Sequence, residues 1–136
     1  MARSVLVDSG FLAALLRQRD SHHAWAAAQA RICPPPWHSC EAALSETFYV
    51  LGAYGAAQLT TLLERDSLRI SFSLAEQQAP VLALMQKYRD VPMSLADACL
   101  VRMTEIVADP IVLTTDSDFR QYRRHGRQAV PCALPR

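Results

Sequence analysis

The chain has 136 residues, 51% of them hydrophobic and 20% charged, with a formal net charge of +1. That length and apolar content suit one domain with a single core. The near-neutral charge excludes a strongly basic nucleic-acid-binding domain, so any grip on nucleic acid must come from local patches.

In chain order, Ser4 to Val7 is a short apolar run rich in β-branched residues, which predicts a buried strand ending at Asp8-Ser9-Gly10. Phe11 to Arg17 and His22 to Arg31 read as helices, and Pro34-Pro35-Pro36 stops the second. Trp37 to Ser39 reads as a short strand. The helical spacing of Ala43, Leu44, Thr47, Phe48 and Leu51 predicts a helix from Cys40 to Leu51, closed by Gly52 and Gly55. A separate helix is expected over Gln58 to Arg65, then a strand over Leu68 to Phe72. Leu74 to Tyr88 is helical, with Pro80 either in its first turn or at a kink. Ser94 to Val107 is the clearest helix. Ile111 to Thr114 is a second buried strand, Asp118 to Tyr122 a short helix capped by Asp118, and Ala129 to Leu134 a weak last strand. Strands alternating with helices, some apolar throughout, define an α/β fold with a mainly parallel central sheet of four or five strands. Residues 1–136 form one domain, without repeat or linker.

Cys33, Cys40, Cys99 and Cys132 form no C-x-x-C pair, which argues against structural zinc. The start MARSVLVDSG carries no secretory pattern and no apolar stretch reaches membrane-spanning length. The expected setting is therefore a reducing cytoplasm with free thiols.

Acids fall where an α/β sheet binds ligands, beyond the carboxyl ends of its strands. Asp8 follows the first strand and Asp116 follows Ile111 to Thr114. Glu46 and Asp97 come early in helices that follow loops. Each has a structural role available to it: Asp8 as a turn residue, Glu46 as a solvated helix residue, and Asp97 as partner of Ser94 in a capping box. Jointly they form a cluster of carboxylates that coexists cheaply only around a cation. Such hard oxygen ligands suit magnesium or manganese.

The segments VLVDSGFLAALL, LSETFYVL, DVPMSLADACLV and VLTTDSDFRQYRRHG together resemble the motif regions of PIN-domain ribonucleases of the VapC toxin type. The likeness spans nearly the whole chain. It implies a PIN-like three-layer fold with the first strand near the centre of the sheet and helices on both faces. It implies Asp8, Glu46, Asp97 and Asp116 as catalytic acids, with Asp8, Asp97, Asp116 and, in an outer position, Asp118 toward the metal. Glu41 is a rival for the place of Glu46. Ser94 stands where many relatives carry aspartate. The resemblance also implies Mg2+ or Mn2+, an RNA substrate, a homodimer and a VapB-like antitoxin.

Other residues extend this reading. Ser9 and Thr114 could fix the carboxylates or touch the phosphate. Arg120, Arg123, Arg124, His125 and Arg127 form the one evident basic cluster, able either to grip phosphates or to close a helix end in solvent. His22 and His23 read as surface or packing residues. Trp25, Phe48 and Tyr49 suit a core or a partner groove better than a base-stacking platform, and Phe11, Trp25 and Phe48 are candidates to line a groove for a partner helix. The alternative to an enzyme is a PIN-like module that has lost catalysis and acts through a protein partner; retention of all four acids argues against it.

Overall fold

The computed structural model describes residues 3–136. Along the chain run β1 (Ser4–Val7), α1 (Ser9–Leu16), α2 (His23–Ile32), β2 (Trp37–Ser39), α3 (Glu41–Glu64), β3 (Leu68–Ile70), α4 (Gln78–Lys87), α5 (Leu95–Ile106), β4 (Pro110–Leu113), a 3-10 turn (Ser117–Arg120), β5 (Arg123–Arg124), β6 (Gln128–Ala129) and β7 (Cys132–Ala133). Five strands form one sheet in the order β3-β2-β1-β4-β7. Every pairing in it is parallel.

The sheet is covered on both faces because successive side chains of a strand point to opposite sides. Leu6 joins the core containing Ala96, Leu100 and Val112, while Val5 and Val7 join the core containing Phe11, Trp37 and Leu113. Helix α1 packs on α2 and α3, and α4 packs on α5. Leu6, Leu12 and Leu100 are fully buried, so truncating any of them to alanine costs about 2–5 kcal/mol. The register that pairs Val7 with Leu113 brings the ends of β1 and β4 side by side, and with them Asp8 and Thr114.

Three expectations are corrected. The helix from Cys40 breaks at Gly52 as expected (φ 63°, ψ −160°), but a second helical stretch resumes directly after it and runs through Gly55 to Glu64, so the expected gap before Gln58 is absent and the two together are α3. Gly55 lies inside it, where a β-carbon would stand 2.5 Å from Cβ of Leu51, so it serves close packing rather than termination. The segment after Gln121 is a small antiparallel hairpin, β5 with β6, not a helix end. The cap of the 3-10 turn is Asp116, whose side chain accepts from the amide of Asp118, rather than Asp118 itself. Pro80 falls in the first turn of α4, where its missing N–H costs nothing.

Candidate active site at the carboxyl edge of the sheet

Asp8 ends β1 and begins α1 in one step. Its amide still bonds across the sheet to the carbonyl of Leu113 at 3.1 Å, and its own carbonyl accepts from Leu12 at 3.2 Å. Its side chain caps the helix, Oδ1 accepting from the Ser9 amide at 2.7 Å. Oδ2 accepts from the Thr114 hydroxyl at 2.8 Å, and that hydroxyl accepts in turn from the amide of Asp116 at 3.0 Å. Thr114 is fully buried, so of its two expected roles it performs the fixing of a carboxylate. Gly10 lets the chain pass close to the segment that follows β4: a β-carbon there would stand 2.1 Å from Oγ1 of Thr115.

Helix α5 delivers Asp97. Ser94 and Asp97 form a capping box, with the Ser94 hydroxyl accepting from the Asp97 amide at 3.0 Å and Asp97 Oδ2 accepting from the Ser94 amide at 3.1 Å. The same Oδ2 accepts from the Tyr122 hydroxyl at 3.1 Å. Capping therefore occupies one oxygen and leaves Oδ1 without a hydrogen bond among the described residues. Asp116 binds the Asp118 amide through Oδ1 at 2.9 Å, and Asp118 Oδ1 accepts from the side chain of Gln121 at 3.1 Å. Glu46, exposed on α3, accepts from the Ser9 hydroxyl at 3.1 Å. Its rival Glu41 is also exposed, at the first position of α3, beside Phe72 and Leu95 rather than Ser9.

These carboxylates feel one another. Burial pushes the Asp8 carboxyl up to about 6, and the charges of Asp97 and Glu46 add to the rise, against the opposing hydrogen bonds from Thr114 and Ser9. Asp97 is also raised, first by burial and then by the charge of Asp116. Burial raises the Tyr122 hydroxyl, helped by Asp97, Asp116 and Asp118, so it stays a donor. Ion pairs among the described residues join Arg3 to Asp109, Arg69 to Asp66 and Arg102 to Glu105, and none reaches the cluster. A group of carboxylates without a protein cation has the donor chemistry of a hard divalent ion site. Among the described residues, no three acidic, histidine or cysteine side chains stand close enough to share an ion as they are. The donor set fits Mg2+ or Mn2+ in chemistry, and coordination would require the carboxylates to draw together.

Sequence reasoning missed Tyr122 and Gly10. The tyrosine signal is invisible because its contact with Asp97 spans 25 residues. The basic segment is only partly free: Nη1 of Arg123 donates to the carbonyls of Arg120 and Tyr122, and Arg124 donates to the Thr104 carbonyl. Arg120 and Arg127 are exposed. Phe11 lines no groove, being fully buried with ring centroids 6.1 Å from Trp25 and 5.4 Å from Trp37. His23 bonds the Ala14 carbonyl through Nδ1 at 2.9 Å.

The PIN domain family model matches residues 5–125, and this chain belongs to that family. The mainly parallel sheet with helices on both faces is the fold of that family. The crystal structure of Mycobacterium tuberculosis VapC20, described as a sarcin-ricin loop cleaving toxin, is similar with a TM-score of 0.76 and 21% sequence identity, over 85% of this chain and 92% of that one. No curated protein sequence matches significantly.

Proposed function

We propose that this PIN domain is a metal-dependent endoribonuclease, the toxin of a toxin–antitoxin pair, acting in the cytoplasm as a homodimer. The observation that carries the reading is the uncompensated carboxylate cluster, with Asp8 buried and held from both oxygens. Family membership supports it, and so does the likeness in fold to a sarcin-ricin loop cleaving toxin.

A bound Mg2+ or Mn2+ would neutralise charge on the phosphate and make water acidic enough to serve as nucleophile. Asp8 and Asp116 are the residues to hold it from the strand ends, with Asp97 a ligand directly or through water and Asp118 further out. Thr114 and Tyr122 keep Asp8 and Asp97 in place, each donating a hydrogen bond to the carboxylate it supports. Glu46 orients the attacking water or helps hold a second ion. Products with a 5′-phosphate and a 3′-hydroxyl are expected. A VapB-like antitoxin would silence the site by placing an arginine among the carboxylates, a bidentate pairing that competes with the metal.

The test is cleavage of single-stranded RNA with Mg2+ or Mn2+, with excess chelator and with Asp97→Asn. Cleavage that persists in chelator would overturn the metal requirement. Growth arrest on expression, relieved by the product of an adjacent short reading frame, tests the toxin role separately.

A further inference from the structure

Helix α3 carries two exposed tyrosines that the acids do not explain, one on each side of the break at Gly52. Tyr49 is 89% exposed and Tyr54 is 98% exposed. Neither serves the core, so of the two places expected for Tyr49, a core or a partner groove, the structure excludes the core. Tyr49 lies on the same helix face as Glu46, three residues on, and the two line one shallow groove with Ser9. Glu46 accepts from the Ser9 hydroxyl, so this groove opens directly from the carboxylate cluster.

Tyr54 stands beyond the break, past the buried Leu51. Arg17, at the end of α1, donates to the carbonyl of Val50 and so bridges the Tyr49 groove to the next one. That second groove is lined by Arg17, Arg19 and Tyr54. Both arginines are exposed, and neither is in an ion pair among the described residues.

We propose that this lip is the track for single-stranded RNA leaving the active site, with a base stacked on Tyr49, a further base on Tyr54, and phosphates paired with Arg17 and Arg19. Exposed aromatic faces beside guanidinium groups that are in no ion pair, Arg17 spending one donor on the Val50 carbonyl and keeping the rest, are the arrangement by which proteins hold single strands without reading sequence. An apolar partner helix would leave both cations uncompensated, whereas a phosphodiester chain satisfies them. The near-neutral net charge is no obstacle, because the binding charge is local. The inference rests on the ribonuclease reading and adds the surface that positions the substrate.

The experiment measures affinity for a fluorescently labelled 12-nucleotide RNA in chelator, so that binding is read without cleavage, alongside Mn2+-dependent cleavage of the same RNA. Tyr49→Ala and Tyr54→Ala are each expected to weaken binding roughly 5- to 150-fold, the range for loss of one stacked base. Tyr49→Phe should bind like the parent, since the ring and not the hydroxyl does the stacking. Arg17→Ala with Arg19→Ala should lower the salt dependence of log Kd by about 0.7 per lost phosphate contact. All four positions are exposed, and unchanged melting temperatures would confirm intact folds. If the parent cleaves RNA and the tyrosine variants bind it undiminished, the track is wrong and the nuclease reading stands. If the parent neither binds nor cleaves, the nuclease reading itself fails. If the tyrosine variants keep RNA binding but lose a co-purifying antitoxin, the lip is a protein-docking face and the proposal is overturned.

Discussion

Asp8 on the strand edge is 5% exposed, with both oxygens held by Ser9 and Thr114, whereas Glu46 on α3 is exposed and, among the described residues, accepts one hydrogen bond, from the Ser9 hydroxyl. The strand wall is rigid and electrically strained. The helix wall is open and relaxed. A buried acid cannot relieve repulsion by moving, so its environment shifts its proton affinity, and Asp8 is accordingly raised to about 6. An exposed acid turns toward water instead. The strand edge thus favours charge compensation by a cation, while α3 is suited to moving parts and substrate contact.

Asp8→Asn should break this contrast most strongly. With Asp8 holding the ion as proposed, its loss removes several kcal/mol of transition-state stabilisation, on the order of a thousandfold in rate. The same change removes a buried, repelled charge, so the metal-free variant should melt at or above the parent at pH 7.5, in keeping with the usual opposition of site function and stability. Glu46→Gln should lower the rate less and leave stability within about 0.5 kcal/mol. Calorimetry that finds Asp8→Asn much less stable than the parent would show the carboxylate to be structural.

The pH dependence of stability follows from the same residue. The folded state binds the Asp8 proton more tightly than the unfolded chain, whose carboxyl titrates near the model value of 3.8. Stability from this group is therefore full below about pH 4 and is lost as pH rises through 6, by on the order of 3 kcal/mol. Manganese at a hundredfold excess over its Kd should return roughly 2.7 kcal/mol at neutral pH, and none in Asp8→Asn. Equal manganese shifts in parent and variant would count against the site.

Tyr122→Phe probes what holds the rigid wall. It deletes the 3.1 Å bond to Asp97 from a fully buried ring while keeping the packing against Phe119, 5.2 Å away. Loss of such a supporting bond typically costs 10- to 100-fold in metal affinity or rate. A metal titration that leaves the half-saturation concentration unchanged would assign Tyr122 to packing alone.

The rigid wall was also the legible one. Asp8 and Asp116 follow apolar β-rich runs, and Ser94 with Asp97 announces a helix start, so local pattern alone places three acids near the sheet edge. The hairpin β5–β6 escaped because two-residue strands have no periodicity to read. It is held by distant partners, the Tyr88 hydroxyl on the Arg123 amide at 2.8 Å and Glu105 on the His125 amide at 2.6 Å. For the same reason the arginines there read as a free cluster, although Arg123 and Arg124 spend donors on backbone carbonyls. Burial of Phe11 and exposure of Tyr49 were equally hidden, since an aromatic residue on a helix does not declare which face the neighbouring helices cover.

The smallest expected effect concerns the open wall. Gly52 divides α3 with φ 63° and ψ −160°, a region only glycine enters without strain. Nothing lies within 4 Å of a β-carbon placed there, so Gly52→Ala tests backbone conformation free of any clash. It should cost about 1 kcal/mol or slightly more, read as a lowered midpoint in urea at unchanged slope. A helix that simply ran on through the break would gain from the same substitution, because alanine is the better helix former by about 1 kcal/mol. The sign of the change therefore decides whether α3 is held bent in solution. Because Asp8, Asp97 and Asp116, the acids proposed to hold the ion, sit on other elements and Glu46 precedes the break, metal binding should be the same in the variant. A parallel loss of manganese affinity would mean that the two walls are coupled.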